Sequence, residues 1–314
     1  MPIRNLIHPL TGEPIPLEEA PGVLEKDAVM PAGAVETVIK DLPGHGADPR
    51  FVTASGLCPE TTCRREEFLK RFFPYDVVPT SQWDMQEGTA IHARLGCTEI
   101  NVPGDLYQGT TLPACVKLGP DGYPRVELWP GVHTRGRFDD ITKITGPEGP
   151  GWRVVEHKTT KYPKTFKDTP PETYTEKTAD EWSFQLSALV HMVEKVTDLP
   201  VLEGWVWRIF RGSHSRAATF RKFFLVRDAR PSLGVVPIMS LETMWNRLGD
   251  WLTAYLEWLR RGYAVKGQED ALKGVLKDIP LDGQLKQMFA GKKCVNCAVR
   301  SICFEQAEVP TFEF

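Results

Sequence analysis

Hydrophobic side chains recur at helical and strand periods in separate blocks of this chain. In "TTCRREEFLKRFF", a helix is predicted to begin near Thr61, with Phe68, Leu69 and Phe72 on one face. A second helix, "MQEGTAIHARLG", is predicted at about 85–96, and 98–130 reads as strands and loops broken by Pro and Gly. "GVHTRGRFDDITKI" predicts a strand, "TGPEGPG" a turn and "WRVVEHKTT" a second strand, together an antiparallel hairpin. A polar loop, "KYPKTFKDTPPETYTEK", then leads to a helix opening with "TADE". Thr178 and Glu181 have capping-box spacing there, and Trp182, Leu186, Leu189 and Val193 recur at helical period.

"EGWVWRIFRG" and "ATFRKFFLVRD" predict two more strands. "SLETMWNRLGDWLTAYLEWLRRG" predicts an amphipathic helix with Leu241, Trp245, Leu248, Leu252, Tyr255 and Leu259 in one stripe. Residues 1–50, rich in Pro and Gly and weakly periodic, read as an extended arm or loosely packed extension. That leaves 51–314 for one domain. The element order implies an α/β or α+β domain with a central sheet flanked by helices.

Composition narrows the function classes. The 314 residues are 41% hydrophobic and 25% charged, the balance of an ordinary globular protein. No apolar run approaches the roughly 18 residues a membrane helix needs. The N-terminus lacks the hydrophobic core of a signal peptide, so a cytoplasmic protein is expected, with no membrane partner. A net charge of −3 argues against a globally basic nucleic-acid binder and leaves room for a local basic groove. There is no GxxxxGK[ST] phosphate loop, which argues against an ATP-driven motor. Seven cysteines, an odd number, make a disulfide framework unexpected. Three crowd into "CVNCAVRSIC" (Cys294, Cys297, Cys303), and Cys58 and Cys63 lie far upstream. Cys97 and Cys115 fit no ligand spacing and read as small buried hydrophobes.

Alternate residues of a strand share a face, so Glu156 and Lys158 point the same way beside Val154, and Val155 and His157 point the other way. An isolated Glu-x-Lys is most simply a solvated, salt-bridged strand end. The preceding strand alters that reading, because its "GRFDD" places Asp139 or Asp140 a hairpin's length from Glu156. Two close carboxylates repel unless a cation lies between them. A hard ion such as Mg²⁺ or Mn²⁺ suits an oxygen-lined site. A neighbouring lysine can orient or deprotonate water and offset charge on a phosphate in transition. Such a set of groups can cleave phosphodiesters.

With these residues in view, "GRFDD…VVEHKTT" resembles the paired motifs of the PD-(D/E)XK nuclease superfamily, RecB-like branch: Gly-x-x-Asp, then a hydrophobic strand ending (Asp/Glu)-x-Lys. Gly136 and Asp139 match the first, which favours Asp139 over Asp140; Glu156 and Lys158 match the second. "GTAIHARL" resembles the upstream Gly-x-x-x-His helix, making His92 similar to the family's additional metal ligand, for which a hydrogen-bonded core histidine is the alternative. "QLSAL" resembles the Gln-x-x-x-Tyr motif through Gln185, with Leu189 at the tyrosine position. The resemblance covers about residues 52–304. It implies a restriction-endonuclease-like core and catalytic roles for Asp139, Glu156, Lys158 and Gln185, with Mg²⁺ or Mn²⁺ held by His92, Asp139 and Glu156.

The C-x2-C-x5-C spacing is similar to that of the iron–sulfur nucleases of this branch, including the CRISPR-associated exonucleases and their phage relatives. This likeness implies a [4Fe–4S] cluster on Cys294, Cys297 and Cys303, with Cys63 ("CRREEFLKR") as fourth ligand and Cys58 as the alternative. A four-thiolate Zn²⁺ site is the competing reading. Either would staple the N- and C-terminal segments together.

Lys161, Lys164 and Lys167 follow Lys158 at every third position. They read either as a solvated loop or as a phosphate-gripping edge, with Tyr162 and Phe166 available to stack on unpaired bases. The expected function is a metal-dependent DNA exonuclease acting on single-stranded or free ends, in recombination, repair, phage DNA metabolism or CRISPR adaptation, with protein partners in such a complex. A non-catalytic DNA-end-binding subunit, a structure-specific endonuclease and a hydrolase of RNA are the alternatives.

Overall fold

The computed structural model describes residues 3–40, 51–57, 63–79, 116–118, 124–136, 139–161, 175–197, 199–211, 219–227 and 235–280, with positions 297, 299, 302 and 303. The chain divides into two compact units. One takes Met1–Pro49, Thr62–Glu87 and Thr253–Phe314; the other takes Arg50–Thr61 and Gly88–Leu252. The architecture is mixed α and β, with three sheets and six α-helices among the described residues. No described helix is long and apolar enough to cross a membrane.

In the first unit, β1 (Ile3–Ile7) pairs antiparallel with β2 (Pro14–Pro16) and parallel with β4 (Tyr75–Val77). Helices α1 (Ala20–Lys26) and α2 (Ala32–Lys40) follow β2. This corrects the expected extended arm: Ile3, Leu6, Ile15, Leu24, Val35 and Val38 are all buried. The prolines that suggested irregular chain sit where a missing N–H costs little, in the edge strand β2 and in the first turn of α1. Buried His8 joins the two parts. Its Nδ1 accepts from the backbone N–H groups of Leu10 and Thr11, which leaves Nε2 to donate to Asp27 at 3.2 Å.

Helix α3 (Arg64–Phe72) buries Phe68, Leu69 and Phe72, as their spacing predicts. Against them lies α5 (Leu241–Ala264), whose residues from Thr253 onward belong to this unit. A Cβ on Gly262 would sit 2.6 Å from a ring carbon of Phe72, so that glycine sets how closely the two helices approach. Arg65, only 3% exposed, donates from Nη1 to the carbonyls of Leu276 and Ile279, closing the C-terminal end of α6 (Glu269–Asp278). Gly274, inside α6, is exposed, and a Cβ there would meet nothing within 4 Å. Gly274→Ala is therefore expected to raise the unfolding free energy by about 0.5–1 kcal/mol, read as a higher denaturant midpoint at unchanged slope.

The second unit holds two sheets. The smaller has the order β3-β7-β6-β5, from β3 (Phe51–Thr53), β5 (Val116–Leu118), β6 (Pro124–Trp129) and β7 (Val132–Arg135). The larger has the order β12-β11-β10-β9-β8, from β8 (Asp140–Gly146), β9 (Gly149–Lys161), β10 (Val201–Arg211), β11 (Thr219–Arg227) and β12 (Val235–Ile238). The predicted hairpin is β8–β9, antiparallel from Asp140↔Val155 to Gly146↔Gly149, and Gly149 takes φ 124° at its turn. Helix α4 (Thr175–Val196) joins β9 to its parallel neighbour β10 and packs on β9, β10, β12 and β6. Trp182, Phe184, Leu186, Leu189 and Val193 are buried along it.

Two expectations are corrected here. The strand predicted across 131–144 is two strands in two sheets, β7 and β8, with the break at Gly136. A Cβ on Gly136 would lie 2.4 Å from Leu189 Cδ2 and 3.3 Å from Met192 Sδ, so the chain passes directly under α4 as it changes sheets. On α5, Trp245 is 36% exposed, and Met244 takes the buried position ahead of Leu248 and Leu252. Trp245 lies instead against Gly249 of its own helix and the Trp129 ring.

Candidate active site

Strand β9 supplies two of the site's side chains and α4 a third. Val154, Glu156 and Lys158 alternate onto one face of β9, and Gln185 reaches that face from α4. Lys158 Nζ donates to Glu156 Oε1 at 2.9 Å and to Gln185 Oε1 at 2.5 Å. Gln185 Nε2 donates to Glu156 Oε1 at 2.5 Å, closing a three-membered ring of hydrogen bonds. Glu156 is 6% exposed, whereas the Lys158 side chain keeps 24%. A buried carboxylate is costly without compensation, and here it receives two donors, one of them charged.

The register pairs Asp140 with Val155, so one step further places Asp139 across from Glu156. Asp139 Oδ2 accepts from the backbone N–H of His157, the residue after Glu156. Asp140 is exposed and turns to the Thr142 hydroxyl. Of the two neighbouring aspartates, Asp139 is therefore the one beside Glu156. The His157 amide that anchors it carries no sequence signature, since every residue but proline owns such a donor.

Leu189, at the tyrosine position of the resembled motif, is fully buried against Gly136. That position is a core contact in this chain.

His92, Cys58, Cys294, Tyr162, Lys164, Phe166 and Lys167 lie outside the described residues. Lys161 ends β9, its backbone paired with Arg211. Among the described residues, no group of three or more His, Cys, Asp or Glu is placed to hold a metal ion. Asp139 and Glu156 are two carboxylates on adjacent strands, the second of them buried.

In the first unit, Cys63 precedes α3 at its N-cap, and Cys297 and Cys303 lie near it. All three are free thiols. Burial pushes the Cys63 thiol above its usual value despite its place at a helix N-terminus, and the nearby Cys303 adds to that rise. Burial, followed by the Glu66 carboxylate, pushes Cys297 up to about 12. Thiols held in this way stay protonated at neutral pH unless a metal takes the proton's place, so uptake of a thiophilic metal would release protons. The three described thiols are not brought together as a ligand group in this structure.

No family model matches the chain, and no curated protein matches it. Among solved structures, it is similar to a chain titled "Crystal structure of SSO0001". Identity is 13%, the match covers 86% of this chain and 94% of that one, and the TM-score is 0.39. A likeness of that strength assigns neither fold nor function.

Proposed function

We propose that this chain is a divalent-metal-dependent deoxyribonuclease of the PD-(D/E)XK superfamily, RecB-like branch, degrading DNA from single-stranded or free ends. The observation that carries this reading is the ring joining Glu156, Lys158 and Gln185, with Asp139 anchored beside it. Asp139 and Glu156 would hold the cation, with His92 as a further ligand. When bound, Mg²⁺ or Mn²⁺ would polarise the scissile phosphate and ease ionisation of the attacking water. Lys158 supplies a positive charge at the open side of the site, where it can meet phosphate oxygens. Lys161, Lys164 and Tyr162 would grip the strand as it leaves. Cys294, Cys297 and Cys303, with Cys63 or Cys58, would hold a [4Fe–4S] cluster, or Zn²⁺ in its place. Recombination, repair, phage DNA metabolism and CRISPR adaptation are the settings that fit such an activity.

End-labelled single-stranded DNA is expected to be degraded by the purified protein with Mn²⁺, and not in excess chelator. Degradation no faster than that of Glu156→Ala would refute the proposal. Anaerobic purification with iron and zinc analysis separates the two cysteine-site occupants, since a thiolate-bound iron cluster is coloured and Zn²⁺ is not.

One observation favours a second reading, a non-catalytic DNA-end-binding subunit: Glu156 Oε1 already receives both Lys158 and Gln185. DNA binding that survives loss of Asp139, Glu156 and Lys158 together, with no cleavage in any divalent metal, would establish it.

A further inference from the structure

We infer that Gln185 is a positioning residue that acts through Lys158, holding its ammonium group as a hydrogen-bond donor toward the scissile phosphate; this rests on the nuclease reading above. The orientation of the Gln185 amide is fixed by chemistry. An ionised carboxylate only accepts and an ammonium only donates, so Nε2 must face Glu156 and Oε1 must face Lys158. Among side chains, an amide is suited to making both contacts at once. A leucine makes neither, and an ionised glutamate cannot donate to Glu156.

Lys158 has three N–H donors. Two are committed, to Glu156 Oε1 and Gln185 Oε1, and the side chain's remaining exposure gives the third access to solvent and substrate. A lysine on its four-carbon stem otherwise has wide rotational freedom. The second partner comes from α4, whose residues on either side, Phe184 and Leu186, are fully buried. The helix is therefore a fixed support, and its amide directs the ammonium by triangulation between strand and helix. Gln185 thus places the cation, and the cation stabilises charge that grows on the phosphate during reaction.

The test is steady-state cleavage of single-stranded DNA in Mn²⁺ by the full-length protein, its Gln185→Ala and Gln185→Glu variants, and Glu156→Ala. Gln185→Ala is expected to lower kcat by about 10–100-fold, the scale of an ångström-level misplacement, with little change in KM. A kcat within two-fold of wild type, or a loss carried by KM, overturns the inference. Gln185→Glu keeps the side chain's volume and its acceptor for Lys158 but, when ionised, loses the donor to Glu156 and repels it. A loss of kcat with a melting temperature near that of wild type separates these contacts from packing; a kcat within two-fold of wild type in both variants overturns the inference. If Glu156→Ala cleaves as fast as wild type, the nuclease reading itself fails. If Glu156→Ala is inactive and Gln185→Ala is not impaired, only the positioning role is lost.

Discussion

Glu156→Gln is expected to reduce DNA hydrolysis on the order of 10³-fold while leaving the melting temperature nearly unchanged. The substitution preserves volume at a buried position. Its amide oxygen can keep the place of Oε1, where Lys158 and Gln185 both donate, so the ring of hydrogen bonds survives. What disappears is a formal negative charge, and with it most of the attraction for the divalent ion proposed between residues 139 and 156. A bound neutral amide also leaves the Lys158 charge unbalanced within the site, a cost moderated by the solvent that reaches that side chain. Comparing Mn²⁺-dependent cleavage with thermal unfolding separates the chemical role from the structural one: equal losses in both would assign Glu156 to stability alone.

Gly151→Val is expected to cost about 3 kcal/mol or more, among the larger effects available to a single substitution in this chain. A Cβ at this position would stand 2.7 Å from the carbonyl oxygen of Pro200 and 2.5 Å from Leu202 Cγ. The first is backbone and cannot rotate away. Trp152 donates its N–H to that same carbonyl, so retreat of the chain at Pro200 would also loosen the first bond between β9 and β10. Since Glu156 and Lys158 lie on β9, displacement there propagates toward the site. Urea unfolding followed by tryptophan fluorescence gives the midpoint shift, with Gly274→Ala as a control expected to move it the other way.

Long periodic segments were legible in the sequence because their burial is one-sided. Phe68, Leu69 and Phe72 on α3, and Trp182, Leu186, Leu189 and Val193 on α4, are buried where a 3.6-residue period puts them. The β8–β9 hairpin was legible from its Gly/Pro turn. The N-terminal strands and helices were not, because proline marks edges and helix starts as readily as it marks irregular chain. Nor was the exchange of sheets at Gly136, where an unbroken strand pattern gives no hint that Leu189 crosses overhead. In the candidate site, the shared face of Glu156 and Lys158 follows from a period of two, and the meeting with Gln185 follows only from how α4 lies on β9. Trp245 belongs to the apolar stripe by spacing, yet it is partly exposed, since a helix period fixes direction and not the extent of what covers it.

The first unit is built from three stretches of chain, and the bond from Arg65 to the Ile279 carbonyl spans 214 positions. By contrast, Gly88–Leu252 is continuous and supplies nearly all of the second unit. On a ribosome, then, the stretch bearing Glu156 and Gln185 can collapse while the polypeptide is still emerging. The fragment bearing Cys63 must wait for the last sixty or so residues, several seconds at ordinary elongation speeds. Nascent chains stalled some tens of residues past Leu252, far enough for that residue to leave the ribosome, would carry Glu156 and Gln185 in a finished unit while the unit bearing Cys63 is still incomplete.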